Sequence, residues 1–434
     1  MRKFFFFALF ALLMLSCESD EPKLSFPTKV KIDNLYYHLD VDNRTAVVLC
    51  REMEDNYTDE SIVIPGTVKC RGKVYNVVGI ANNAFHRCKN LSSVVIPEGV
   101  TFIEGFAFSD CYSLKTISFP NSLIYIREGA FDKCQKLQSL SIPNSVTRID
   151  FYAFRFCVGL ESVTIGENVD IIGHNIFACC PKLKSIVVEA GNTRYDSRDN
   201  CNAIIETRTN TLMFGCKGTI IPATVEEISQ GAFTGCSNLD SIAIPGNVKY
   251  IGTSAFESCF GLESVNIGEG VTTIDDAVFR GCTSLQTVTI PNSVTKLGYG
   301  SFYQCTGLRS VSIGSGITVL ETAIFTGCIG LQSIVIPDSV VGIGEYAFSG
   351  CKALESVIIG SGVKHIWNGA FYDCSNIKTI TCYAAMPPEV SEGGFNSLDC
   401  SQVTLYVPAE TLIAYKAASE WKKIGIILPI EEKQ

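Results

Sequence analysis

The 434-residue chain has only four His and two Trp, and charged residues make up 18 % of it. His38, His86, His174 and His365 share no spacing, so no metalloprotease helix pairs two of them with a Glu. A glycine-rich phosphate loop and a G-x-S-x-G nucleophile turn are also missing. Asp40-Val41-Asp42-Asn43 lacks the Gly and the terminal Glu that a calcium loop needs. No C-x-x-C occurs among the 20 Cys, which argues against a zinc site. Lys and Arg do not cluster and the net charge is −9, so neither nucleic acid nor an anionic bilayer has a basic face to meet. No run reaches the 18 or so apolar residues of a membrane span. The expectation is a chain without catalysis, metal or other cofactor. Hydrophobic residues at 47 % exclude disorder, and the length exceeds one ordinary core, which calls for several domains or a repeat array.

The N-terminus reads as an address. Arg2 and Lys3 precede an apolar run, Phe4 to Leu15, that is too short to span a bilayer but suits a secretory signal. Met14-Leu15-Ser16-Cys17 resembles a bacterial lipobox, which implies cleavage before Cys17 and lipidation of its thiol; Met14 departs from the usual Leu. The following Glu18-Ser19-Asp20-Glu21 resembles the surface-export signal of Bacteroidetes lipoproteins, which implies an outer-membrane lipoprotein exposed on the cell.

A period dominates the rest. Cys88, Cys111, Cys134, Cys157 and Cys180 lie 23 residues apart, as do Cys236, Cys259, Cys282, Cys305, Cys328, Cys351 and Cys374. A Phe stands three before each and an aliphatic residue three after. In the unit starting at Cys282, Leu285, Val288 and Ile290 follow an L-x-x-L-x-L pattern, and Val288 to Ile290 alternates as a short strand should. Pro291, or Gly in other units, ends the strand. Val294, Leu297 and Phe302 form a return leg with a tight turn or a short 3₁₀ piece. One unit cannot bury these residues alone, so units stack, giving a rod on the order of 60 Å long at a strand spacing of about 4.8 Å.

The string Ile244-Pro245, Val248, Ile251-Gly252, Ala255-Phe256, Cys259 and Leu262 resembles the BspA-type leucine-rich repeat of bacterial surface proteins, over roughly residues 77–382. The resemblance implies a β-rich solenoid of 23-residue leucine-rich repeats, a curved right-handed rod with a parallel concave sheet. It also implies a surface location and, weakly, adhesion. Around this body the expected organisation is a signal peptide (1–16), an acidic linker (17–25), a β-rich N-terminal cap (26–76) and a small mixed C-terminal cap (383–434) with a strand Val403–Val407, a helix near Ala409–Glu420 and a strand Ile424–Leu428. The period breaks at about 189–217, where Ala203–Glu206 and Thr211–Phe214 predict a hairpin projecting from an enlarged repeat.

Three sets of residues are candidates for function. The Cys ladder reads as buried free thiols, because stacked equivalent positions point their Cβ atoms in parallel. Disulfides Cys201–Cys216 and Cys50–Cys70 stay open, and Cys179 reads as an exposed or half-buried thiol. Second, the outward strand position is always Ser or Thr: Ser93, Thr116, Ser139, Ser162, Ser185, Ser241, Ser264, Thr287, Ser310, Ser333, Ser356 and Thr379. This row is either a packing ladder or a polar trough for an extended protein or glycan. Third, Tyr125, Tyr250, Tyr299, Tyr346 and Trp367 fall on the other legs. The favoured reading is a surface binding or adhesion lipoprotein whose partner is an unknown protein or glycan, touching the membrane only through its lipid and binding no nucleic acid. An envelope scaffold and an accessory glycan-binding lipoprotein are the alternatives.

Overall fold

The computed structural model describes residues 29–51, 57–391, 393–395 and 398–431. The signal segment, Cys17 and the acidic stretch behind it lie outside the described residues. The body is a β-solenoid of parallel strands stacked in register at the 23-residue repeat. Ser139–Ser141, Ser162–Ile165 and Ser185–Val188 pair residue for residue, as do Thr287–Ile290 with Ser310–Ile313 and Ser333–Ile336 with Ser356–Ile359.

The return leg differs from the expected turn or 3₁₀ piece. It carries a second set of parallel strands, two residues each, such as Phe102–Ile103, Tyr125–Ile126 and Arg148–Ile149. Most bury their aliphatic residue and turn their first residue outward, as in Tyr125–Ile126, Lys296–Leu297 and His365–Ile366. Two residues suffice because the neighbouring turns supply the remaining pairing.

Those turns form a third ladder that the sequence did not suggest. In each full unit the residues two before and two after the Phe have a positive φ, for example Phe106 (54°) and Asp110 (60°) around Phe108, or Ala323 (58°) and Gly327 (75°) around Phe325. The flips aim alternate amides along the rod axis. Phe106, Phe108 and Asp110 donate to the carbonyls of Glu128, Ala130 and Asp132, and Ala323, Phe325 and Gly327 to those of Glu345, Ala347 and Ser349. The turns thereby satisfy backbone groups that a buried loop would leave orphaned. Left-handed backbone at non-Gly residues is uncommon and costs energy, so these bonds are what hold it.

The side chains repeat the same logic. Phe85, Phe108, Phe131, Phe154 and Phe177 form one offset stack with centroids 5.0–5.9 Å apart. Phe233 to Phe371 form a second, at 4.8–5.5 Å. Tyr57 packs on Phe85 at one end of the column. At the other, Phe395 packs on Phe371 and Trp421 meets Phe395 edge-on. The polar atoms of these closing residues are satisfied: Tyr57 Oη donates to the Leu49 carbonyl, Trp421 Nε1 to that of Pro388 and Tyr415 Oη to that of Ala384.

The ladder thiols are buried and free, and most have a specific task. Cys111 Sγ donates to the Phe85 carbonyl at 3.1 Å, and the same bond to the preceding unit recurs through Cys305 to Phe279 (3.1 Å) and Cys374 to Phe348 (3.0 Å). The Phe85 carbonyl also takes the amide of Cys88, so the weak S–H donor fills its second lone pair. Burial pushes the thiols of Cys236, Cys282 and Cys328 up to about 12.

Both disulfides left open by the sequence are absent: Cys50, Cys70, Cys201 and Cys216 are free thiols. Cys201 packs in the C-terminal core cluster and Cys216 in the N-terminal one, with Cys216 Sγ donating to the Asn202 carbonyl at 3.3 Å. Of the nineteen described thiols, Cys50 is exposed and Cys70, Cys179 and Cys400 are half-buried. A thiol reagent at pH 8 is expected to label these four in the native protein and the remainder only after unfolding. Rapid native labelling of Cys305 or Cys328, read by peptide mass mapping, would contradict the ladder as described.

Strands form in both cap regions. Lys29–Ile32 joins the hairpin of Leu35–Asp40 and Thr45–Leu49. Ser61–Val63, assigned from sequence to the N-terminal cap, pairs in parallel register with Ser93–Val95. At the C-terminus Thr404–Val407 continues the long strands and Ile426–Pro429 pairs beyond it. The expected cap helix is shorter: one 3₁₀ turn (Ala409–Thr411), an α-helix (Leu412–Ala417) and a second 3₁₀ turn (Trp421–Lys423).

The insert does not project. Ile204–Glu206 and Thr211–Phe214 do form the antiparallel hairpin, but Ala203, Ile204, Ile205, Leu212 and Phe214 are buried. Thr211-Leu212 pairs in parallel with Glu227-Ile228, so the hairpin is built into the short-strand wall. Its apolar residues sit in both core clusters, which excludes a protruding arm.

Candidate binding surface

The long strands place every second side chain outside. Their inward residues, such as Val163 and Ile165 or Val288 and Ile290, are buried, and the Ser/Thr position faces out. Parallel registration then sets equivalent hydroxyls side by side: Ser139 opposite Ser162, Ser162 opposite Ser185, Ser241 opposite Ser264, Thr287 opposite Ser310, Ser356 opposite Thr379. Ser333 lies opposite Ser356, and Ser93 opposite Thr116.

The row is longer than sequence reasoning found. Ser61 stands opposite Ser93 and Thr404 opposite Thr379. The signal for Ser61 was available, since Ser61-Ile62-Val63-Ile64-Pro65 repeats the pattern of Ser93-Val94-Val95-Ile96-Pro97. Among the described residues only the Ser93 hydroxyl in the predicted row makes a side-chain hydrogen bond within the protein, at 3.0 Å to Ser61 Oγ. The others keep donor and acceptor capacity for solvent or a ligand.

Charged residues border much of the row one residue earlier in the chain, with Gln at 138, 286 and 332. Lys184 pairs with Glu161 at 2.8 Å, Lys217 with Asp240 at 3.1 Å, and Lys378 with Glu355 at 3.0 Å. Such exposed pairs add little stability. Their effect is to leave a neutral margin beside the hydroxyls.

The five aromatics singled out in the sequence lie away from this face, on the short-strand and turn legs. Tyr125, Tyr299, Tyr346 and Trp367 are exposed there. Tyr250 is committed, its hydroxyl donating to Asp275 at 2.8 Å. Burial opposes ionisation of Asp275, but hydrogen bonds from Lys296, Thr253 and Tyr250 outweigh it and hold the carboxyl down at about 2. His365 is not part of a cluster; its Nδ1 sits 3.3 Å from Glu389. Asp40, the start of the faint calcium-like string, accepts from the amides of Asp42 and Asn43 and from Asn43 Nδ2, so its carboxylate closes a turn. Among the described residues no group of three or more His, Cys, Asp or Glu converges to hold a metal. No described helix is long and apolar enough to cross a membrane.

The sequence pattern described as the BspA type leucine-rich repeat region matches residues 78–203, 214–332 and 318–415, in six copies. The chain belongs to this family. Its fold is shared by solved leucine-rich repeat structures. A leucine-rich repeat protein from Bacteroides ovatus is 26 % identical, with a TM-score of 0.61 over 93 % of this chain and 100 % of that one. The pneumococcal vaccine antigen PcpA is 19 % identical, with a TM-score of 0.59 over 94 % of this chain and 99 % of that one. A leucine-rich repeat protein from Eubacterium ventriosum is 19 % identical, with a TM-score of 0.58 over 86 % and 95 %. No curated protein matches the sequence. For a BspA type chain the matched stretches hold the ladder and the hydroxyl row alike, and the break between 203 and 214 falls inside the hairpin insert.

Proposed function

We propose that the chain is a non-catalytic binding or adhesion lipoprotein of the cell surface, tethered through Cys17, which holds a protein or glycan ligand on its long-strand face. The observation that carries this reading is the row of outward hydroxyls from Thr116 to Thr379, which have no side-chain partner among the described residues. Hydroxyls without a partner in the protein keep both donor and acceptor for a ligand. Membership of the BspA type family and the lipobox-like Met14-Leu15-Ser16-Cys17 support the surface assignment.

Protease treatment of intact cells tests it, comparing wild type with a variant in which Glu18, Ser19, Asp20 and Glu21 are all Ala. Digestion of the wild type and protection of the variant is the expected result. Protection of both would retire the surface reading in favour of a periplasmic scaffold.

A further inference from the structure

The long-strand sheet has a gap at the insert. Where a strand belongs between Ser185–Val188 and Ser241–Ile244, residues 217–222 run without strand structure, and Gly218 occupies the hydroxyl position. The backbone of this segment bonds to one side, while the Lys217 side chain reaches across to Asp240 at 3.1 Å. Lys217 donates to the Leu183 carbonyl and Ile220 to that of Cys201. A Cβ on Gly218 would lie 2.4 Å from the Lys184 carbonyl oxygen. The insert also covers the neighbouring strand, Ser197 Oγ accepting from the Val188 amide at 2.7 Å. On the other side, among the described residues, no backbone hydrogen bond joins 217–222 to Ser241–Ile244. An open strand edge therefore faces a cavity of about 380 Å³ lined by Ile220, Ile221, Ile242, Ala243, Pro245 and Asn266 among others. Ile220 is 76 % exposed on its rim.

We propose that this seam anchors an extended polypeptide segment of the ligand, with one bulky apolar side chain in the cavity and main-chain hydrogen bonds to the open edge of Ser241–Ile244. This deepens the binding reading above and rests on it. An unpaired strand edge is a template for another extended chain, because it offers N–H and C=O groups at the strand repeat. The lining selects the same class. Ile220, Ile221 and Ile242 reward a buried hydrocarbon side chain, whereas a sugar would set hydroxyls against them without partners. Hydroxyls on either side, Ser185 and Ser241, are placed to meet the flanking peptide groups.

The test is to pan a phage-displayed library of random twelve-residue peptides on the full exported chain. Recovered peptides are then measured by fluorescence anisotropy against wild type, Ile220→Asp, Thr287→Arg and Ile413→Asp. Ile413, on the cap helix, is 84 % exposed and serves as the control for charging an open isoleucine. Ile220 is open enough that Asp leaves the fold intact, which circular dichroism checks. The expected result is a consensus with a bulky aliphatic or aromatic residue, and about a tenfold or greater loss of affinity in Ile220→Asp with none in Ile413→Asp. Binding lost in Thr287→Arg but unchanged in Ile220→Asp would overturn the seam and leave the hydroxyl-face reading standing. Failure to recover any apolar consensus would also overturn it, and the protease result would then decide the surface reading by itself.

Discussion

Replacing Phe302 by Ala is expected to cost about 3–5 kcal/mol, the range for emptying a fully buried aromatic site. The ring is stacked between Phe279 at 5.3 Å and Phe325 at 5.4 Å, and both neighbours lose a face. Each unit touches only the next, so the loss falls on one pair of interfaces and cannot be spread. The loss is also expected to stay in one half of the molecule. Between Phe177 and Phe233 the stack is broken, and Phe177 meets Phe214 edge-on at 81°. The turn ladder thins there too, from three bonds per unit to the single bond from the Cys179 amide to the Thr234 carbonyl. The buried residues accordingly form two clusters that meet at the hairpin. Calorimetry should then show two transitions, with Phe302→Ala lowering one and Phe131→Ala the other. A single transition on which both variants act alike would mean that the hairpin couples the halves as tightly as an ordinary unit does.

The second large effect is at a glycine. Gly360 ends the strand Ser356–Ile359, and its amide donates to the Ile336 carbonyl at 3.0 Å. A Cβ there would lie 2.6 Å from three backbone atoms, the Pro337 carbon and oxygen and the Asp338 nitrogen. None of these is the end of a side chain that can swing aside. Relief requires the two turns to separate, which opens the hydrogen bonds on either side. Gly360→Ala is therefore expected to lose about 1–3 kcal/mol in denaturant titration, the usual cost of overpacking. At Gly66 the nearest atom to an added Cβ is 3.7 Å away, and Gly66→Ala should change little. Equal stability of the two variants would mean that the turn at 337–338 yields more easily than its bonding suggests.

Much of this was legible in the sequence, for a definite reason. The 23-residue recurrence of Phe, Cys and Leu reports which residues must touch their copies in the next unit. Stacking and the parallel strands follow from that alone. The outward Ser/Thr row was legible for the same reason, being one step off the buried alternation. What escaped was whatever depends on backbone direction. Phe106, Tyr152 and Ala323 as residue types do not announce a positive φ; the trace of it was the Gly that takes the same place at 129 and 300. The turn ladder and the two-residue strands were therefore only faintly marked. The hairpin was found but sent outward, because its pattern of Ile204, Leu212 and Phe214 says that these residues are buried without saying against what. The open edge of Ser241–Ile244 had no sequence signal beyond Gly218 standing where Ser or Thr otherwise stands.

The strict register has an evolutionary consequence. Because Phe, Cys and hydroxyl columns all advance by the same 23 residues, recombination between any two units on one side of the hairpin restores every column. A gene can lengthen or shorten either arm in whole units while each junction still packs like its neighbours. The hairpin has no second copy with which to exchange, so it stays a fixed landmark. Lineages of such a chain should diverge first in how many units lie on each side of residues 195–217, with that landmark changing last.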